Sequence, residues 1–178
     1  MKTTRNRILI ILITIQFWGC SAVDTDVLLR KEFDGQSIAV INFTKTGSTL
    51  HSNLGSITAD LLTEALFLKG RYNLIDRSKV NEAQLKLEIK SPEYLSKEKI
   101  TEIGSLLQAK YLILGDININ NPSKFISDNN DTEMSLVIRL ISTESTTLVG
   151  MANSTVKYKD DIINSIKLCV NEIAEGMN

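Results

Sequence analysis

The stretch "IAVINFTKTGSTLHSNLGSITADLLTEAL", Ile38 to Leu66, decides the fold of this chain. It opens on the unbroken apolar run from Ile38 to Ile41, which is typical of a strand that is covered on both faces. A loop rich in glycine, serine and threonine follows, and then a helical pattern that we predict to be capped by Ser56 and to end at Gly70. The predicted inner face of this helix consists of Ile57, Leu61, Ala65 and Leu68.

The same order of strand, loop and helix builds phosphate-binding loops. A P-loop needs the pattern Gly-x-x-x-x-Gly-Lys-Ser/Thr, because backbone N–H groups wrap the phosphates and the lysine reaches them. Here Gly47 and Gly55 are eight residues apart, and Ser56 stands where the lysine is required. We therefore predict that the Gly47 loop is structural or contacts a protein, and that it holds no nucleotide or other cofactor.

Further strands are predicted from short apolar or alternating segments. The segment "YNLIDR" (72–77) indicates a short strand, and "AKYLILGDININ" (109–120) is the strongest strand signal in the chain. The latter ends by alternating isoleucine with asparagine, which predicts a strand end that emerges into solvent. The segments 134–142 and 147–156 are joined by "TEST" and therefore predict an antiparallel hairpin.

Three further helices complete the pattern. One is predicted over 79–90, another begins at Ser96, and the last begins near Lys159 with Cys169 beside its apolar stripe. Cysteine in such a position predicts a small buried hydrophobe. In the last two helices we expect the following residues to be buried: Ile100, Ile103, Leu107, Ile162, Ile166, Val170, Ile173 and Met177.

The predicted order of elements is β-α-β-α-α-β-β-β-α over residues 37–178. Helices that alternate with strands and then a hairpin predict an α/β domain with a mixed sheet and helices packed on it. The sequence contains neither an internal repeat nor a low-complexity segment.

The first 19 residues predict an export signal. Lys2, Arg5 and Arg7 precede the apolar run "ILIILITI", which as a helix rises only about 12 Å, against a hydrocarbon core of about 30 Å. A basic start, a short apolar middle and small residues after it are typical of a signal peptide.

Gly19 and Cys20 resemble the end of a bacterial lipobox, although Phe17 and Trp18 are bulkier than usual there. We predict that Cys20 is acylated and becomes the first residue of the mature chain, and that residues 20–36 tether the lipid to the domain. An uncleaved anchor or a soluble export signal is the alternative. Ser21 after the cysteine favours the outer membrane, by analogy with the sorting rule of enteric bacteria.

The cysteine count and the charge narrow the function further. Cys20 and Cys169 are the two cysteines, so lipidation of Cys20 leaves no intramolecular disulfide. Removal of the three basic residues of the signal takes the formal charge from −1 to −4. A mildly acidic domain lacks the basic footprint of a nucleic-acid binder, so we exclude nucleic acid as a partner.

Catalytic and metal sites are not predicted. His51 is the one histidine, so neither a histidine-based zinc site nor a Ser-His-Asp relay can be assembled. The segment from Asp116 begins like a calcium loop, but Asn121 stands where glycine belongs and Ser127 where the bidentate glutamate belongs. We therefore expect a protein that is not an enzyme and that has no metal site.

Several segments, in this order and spacing, are similar to the CsgG family, which includes the lipoprotein that secretes curli fibres. The matched features are Asn42 and Phe43 before Gly47, the leucine-rich helix, "RYNLIDR" (71–77), and the segment 109–115 before the hairpin. The resemblance covers about residues 37 to 173. It implies a fold related to those of LpoB, FlgO and the N-terminal domain of TolB.

The sequence lacks two insertions of the curli channel, in which long amphipathic hairpins flank the last strands. Here the segment 120–133 is short and polar, and the chain after Val156 passes directly to its last helix. We therefore expect no pore-forming hairpins.

The resemblance and the lipobox lead to one function and one alternative. We expect an outer-membrane-anchored periplasmic lipoprotein that binds or scaffolds an envelope protein. The alternative is a homo-oligomeric ring or collar component of a secretion or flagellar apparatus. Exposed apolar residues on the helix from Val80 to Lys90 would favour the ring, because that helix is apolar on more than one side.

Overall fold

The computed structural model describes residues 23–29, 33–47, 52–89, 95–120, 132–158 and 161–177. These ranges form a mixed α/β domain, which confirms the predicted fold class. In chain order its elements are β1 (Val23–Leu29), β2 (Ser37–Val40), β3 (Thr44–Thr46), α1 (Leu54–Lys69), β4 (Asn73–Leu74), α2 (Arg77–Lys86), α3 (Lys97–Leu107), β5 (Tyr111–Asn120), β6 (Thr132–Ser142), β7 (Leu148–Tyr158) and α4 (Ile162–Gly176).

The seven strands form one mixed sheet. Its order is β1-β7-β6-β5-β2-β4, and β3 also pairs with β5. β2 runs parallel to β4 and β5, and β3 runs parallel to β5. The pairs β5–β6, β6–β7 and β7–β1 are antiparallel, so the predicted hairpin is confirmed as β6 and β7.

Helices pack on both faces of this sheet, and this explains why the run from Ile38 to Ile41 is apolar throughout. Successive side chains of a strand point to opposite faces. Ile38 and Val40 belong to the core under α1 and α4, whereas Ala39 and Ile41 belong to the core under α2 and α3. All four residues are buried, so the prediction of a strand covered on both faces is confirmed.

β1 corrects the prediction that residues 20–36 are a tether. Val23–Leu29 is an edge strand antiparallel to β7, with Val23 opposite Val156 and Leu29 opposite Gly150. Alternate residues of β1 are half-buried, and Asp24 and Asp26 point outward. The strand was missed because two of its three outward positions are aspartates, which are rare in strands.

α1 also differs from the prediction. It begins at Leu54 and not at Ser56, and its N-cap residue Asn53 makes no side-chain capping hydrogen bond. Leu68, predicted to be on the inner face, is 75% exposed. The residues that α1 buries are Leu54, Thr58, Ala59, Leu62, Ala65 and Leu66. Gly70 does end the helix, in the left-handed conformation with φ 69°, as predicted.

The remaining helices follow the sequence more closely. Ser96 caps α3, accepting from Lys99 N at 3.3 Å, and the predicted apolar stripes of α3 and α4 are buried. α2 ends at Lys86 and is shorter than predicted, because Glu88 takes the left-handed conformation with φ 51°. Residue 90, the predicted end of this helix, lies outside the described residues.

Candidate protein-interaction surface

Two motifs of the sequence resemblance meet at the carboxyl end of β2. Arg77, the last residue of "RYNLIDR", donates from Nε to Asp60 Oδ1 at 2.8 Å. Its Nη1 donates to the carbonyl oxygen of Val40, and its Nη2 donates to Asn42 Oδ1. Arg77 thereby connects α2 with α1 and with the end of β2.

A buried amide completes this connection. Gln84 Oε1 accepts from the backbone N–H of Asn42 at 3.2 Å, and Gln84 is 6% exposed. The polar side chains around Asn42 therefore have partners within the fold, as buried polar groups require. Their role at this place is to hold α1 and α2 against β2.

The two glycines that suggested a phosphate loop have a packing explanation. Gly47 has φ 97°, and a Cβ there would lie 2.3 Å from the carbonyl oxygen of Ile119. A Cβ on Gly55 would lie 2.0 Å from the carbonyl oxygen of Phe43. Each glycine thus allows a close backbone approach, one between the loop and β5 and the other between α1 and the end of β2. His51 lies outside the described residues.

Asp116, the first residue of the calcium-like segment, has protein partners. Its carboxylate accepts from Thr44 Oγ1 at 2.9 Å and from Arg139 Nη2 at 3.1 Å. Asn121 and Ser127 lie outside the described residues. Within the ranges that the structure describes, no group of histidine, cysteine and carboxylate side chains could hold a metal ion.

Of the two cysteines, Cys169 lies within the described residues and Cys20 does not. Cys169 is buried in α4, and burial raises the pKa of its thiol. The prediction that it is a small buried hydrophobe is confirmed. Cys20 and the signal segment lie outside the described residues, so acylation stays a prediction. The helices of the described part are too short or too polar for any of them to cross a membrane.

The exposed apolar side chains at the end of α1 are a feature that we did not predict from the sequence. Phe67 is 71% exposed and Leu68 75% exposed at the end of α1, and Leu85 on α2 is 80% exposed. Consecutive helical residues differ by about 100° in direction, so Leu66, Phe67 and Leu68 cannot all face one core. That run of three apolar residues was the available signal.

Phe67 lines a surface groove of about 500 Å³ beside the β4 edge of the sheet, which we call the α1 groove. Its apolar residues are Phe67, Leu74 and Ile75. Its polar residues are Asp60, Thr63, Glu64, Asp76 and Arg77, so three carboxylates face one guanidinium.

A second groove, of about 420 Å³, lies between α2 and α3, and we call it the α2–α3 groove. Its lining residues are Lys79, Glu82, Ala83, Lys86, Leu106, Leu107 and Gln108. Two lysines and one glutamate give it a positive balance, whereas the α1 groove has a negative balance.

The outward face of β1 and β7 adds a third exposed area. Leu28 lies opposite Met151 in the strand register, and the two are 75% and 43% exposed. Their neighbours on this face include Asp26, Asn153 and Arg139, so the area is mixed in charge.

The fold of this domain is shared by several solved structures. No protein-family model matches the sequence, and no curated protein matches it either. The chain is similar to the PelC dodecamer from Paraburkholderia phytofirmans, with a TM-score of 0.57 and 11% identity over 88% of this chain and 97% of that chain.

Two further structures are similar. Lipoprotein GNA1162 from Neisseria meningitidis has a TM-score of 0.54 and 11% identity, covering 79% of this chain and 96% of that chain. The NMR structure of Escherichia coli LpoB has a TM-score of 0.53 and 16% identity, covering 71% and 59%. The predicted likeness to LpoB in fold is thus confirmed, while membership of the CsgG family stays a prediction.

Proposed function

We propose that this protein is a lipid-anchored component of the bacterial envelope that binds another protein and is not an enzyme. The observation that carries the proposal is the exposure of Phe67, Leu68 and Leu85 beside formed grooves. Clustered exposed apolar side chains rimmed by polar residues mark protein-interaction sites. An aromatic or aliphatic anchor in a groove is also where binding energy concentrates.

The anchor is supported by sequence and by likeness of fold. Residues 1–19 have the pattern of an export signal, Cys20 follows them, and Ser21 favours the periplasmic side of the outer membrane. One solved structure of similar fold is that of lipoprotein GNA1162. Together these favour an envelope location for the domain.

The absence of an enzymatic role is proposed from the use of the polar groups. Arg77, Gln84 and Asp116 each have partners within the fold that explain their position. The chain's single histidine, His51, has no second histidine with which to build a relay or a zinc site.

A second candidate function is a homo-oligomeric ring or collar. Leu85 lies on the helix whose exposure we named as the sign of a ring, and it is 80% exposed. The likeness of fold to the PelC dodecamer supports the same candidate. A ring needs one surface patch that fits a different patch on the next copy.

Two measurements test these proposals. Acyl labelling in the native host should mark the wild-type protein and disappear in Cys20→Ala; unchanged labelling of the variant would disprove the lipid anchor. The mass of the purified full-length protein in detergent, from sedimentation, then separates a monomer that binds another envelope protein from a homo-oligomer.

A further inference from the structure

Leu85 has the properties of an anchor for a protein contact. α2 buries Val80, Ala83 and Gln84 against the domain, whereas Leu85 points away and is 80% exposed. Its neighbour Lys86 is also exposed, and within the described residues the Lys86 side chain makes no ion pair. The end of α2 therefore presents an apolar side chain beside a free positive charge.

The α1 groove has the complementary properties. Phe67, Leu74 and Ile75 provide an apolar lining, and the rim carries more negative than positive charge. The one cation of the rim, Arg77, is already bound to Asp60. Glu64 is exposed and has no ion pair in the part of the chain that the structure describes. A suitable occupant is thus an apolar side chain followed by a positive charge.

We propose that the α1 groove of one copy receives Leu85 and Lys86 of a second copy. The inference rests on the second candidate function, the homo-oligomer, and it identifies the two surfaces that meet. Opposite charges across the contact fix its register, and the apolar anchor supplies most of the affinity.

A single copy cannot make this contact with itself. Arg77 at the start of α2 lines the groove, and Leu85 lies eight residues later, about 12 Å along the helix axis. The anchor and the groove consist of different residues, so the contact either repeats from copy to copy or is made twice in a closed pair. Because one chain carries both the anchor and the groove, copies of this chain alone can form the contact.

A matched pair of variants tests the anchor. In full-length protein in detergent, Leu85→Ser should weaken self-association at least about tenfold, the scale of a hot-spot residue. Leu168→Ser on α4 should leave it unchanged, because Leu168 is also an exposed leucine but does not line the α1 groove. A wild-type protein that stays monomeric would overturn the homo-oligomer itself. Assembly that survives Leu85→Ser would overturn only this contact.

Cross-linking in the native envelope tests the geometry. A chain with Glu64→Cys and Lys86→Cys should form disulfide-linked multimers in a ladder on a non-reducing gel, and a chain with either cysteine alone should not. A ladder supports an open or ring-like series, and a dimer band alone supports the contact in a closed pair. If the double variant shows no species beyond those of the single variants, the two surfaces do not meet.

Discussion

The guanidinium of Arg77 lies 2.8 Å from the carboxylate of Asp60, measured from Nε to Oδ1, and so ties α2 to α1 across the end of β2. The Arg77 side chain is only 13% exposed, whereas that of Asp60 is 56% exposed. We therefore expect Arg77 to stabilise the fold mainly through the hydrogen bonds that it donates to Val40 and Asn42, and less through the ion pair with Asp60.

Replacing Arg77 with alanine should reduce the free energy of unfolding by about 1.5–3 kcal/mol. That is the range for hydrogen bonds to a charged group, and the loss leaves polar groups near Asn42 without a donor. Urea unfolding measures the change. Lys99→Ala is the control, because its ion pair with Glu102 is exposed on both sides and should contribute less than about 1 kcal/mol. Equal effects of the two substitutions would contradict the structural role of Arg77.

Two leucines on α1 test which face of the helix is inside. Leu62 is fully buried, so Leu62→Ala should cost about 2–5 kcal/mol through lost burial and the cavity that remains. Leu68→Ala removes the same atoms from a side chain that is 75% exposed and should change stability by less than about 0.5 kcal/mol. Thermal or urea unfolding of the two variants gives the comparison. A larger loss for Leu68 would restore the inner face expected from the sequence.

Cys169 should resist thiol reagents in the folded protein. Burial excludes the reagent and raises the thiol pKa, so the reactive thiolate is disfavoured at neutral pH. A colorimetric thiol assay should therefore show slow reaction in buffer and complete reaction in concentrated guanidinium chloride. Fast labelling of the folded Cys20→Ala protein, in which Cys169 is the remaining cysteine, would show that α4 opens readily.

Asp34 should give a pH-dependent contribution to stability. Arg71 donates to both of its carboxylate oxygens, at 2.7 and 2.9 Å, and this hydrogen bonding lowers the pKa of Asp34 from 3.8. A carboxyl whose pKa is lower in the folded state stabilises the fold above its unfolded pKa, and the contribution is lost as pH falls through the folded pKa.

Comparison with Asp34→Asn isolates that contribution. The difference in urea midpoint between wild type and variant should be small at neutral pH, because the pair is exposed, and it should shrink below about pH 4. Added salt should reduce it as well. A difference that grows on acidification would have the wrong sign for this ion pair.

The spacing of apolar residues was sufficient to predict those elements in which buried positions recur at regular intervals or without interruption. The stripe from Ile162 to Met177 faces the core as predicted, because α4 buries one side and exposes the other. The unbroken run from Ile38 to Ile41 likewise reports that both faces of β2 are covered. In these elements the spacing of apolar residues and the tertiary contacts agree.

Two elements depend on contacts that local spacing does not contain. β1 forms because Val23 and its neighbours find β7, whose paired residue Val156 is far away in the chain. α1 has apolar residues around most of its circumference, so the choice of Leu62 over Leu68 is made by the sheet and α4. The α1 groove arises in the same way, from segments that meet only after folding.

If Cys20 is acylated, the position of β1 limits how far the domain can lie from the membrane. Val23 begins the strand three residues after Cys20, and three residues of chain span at most about 11 Å. If Cys20 carries acyl chains, this short connection holds one end of the sheet next to the bilayer surface. At that end the paired residues are Val23, Val156, Met134 and Ile119.

The α1 groove lies toward the opposite end of the same sheet. Leu74 of that groove is joined through Ile38 to Tyr111, and Tyr111 is eight residues along β5 from Ile119, about 27 Å. If Cys20 is acylated, copies that meet through this groove would be attached to the membrane at one end of the sheet and would contact each other near the other end. A partner protein would then have to approach the membrane surface to be bound, because at most about 11 Å of chain separates Cys20 from β1.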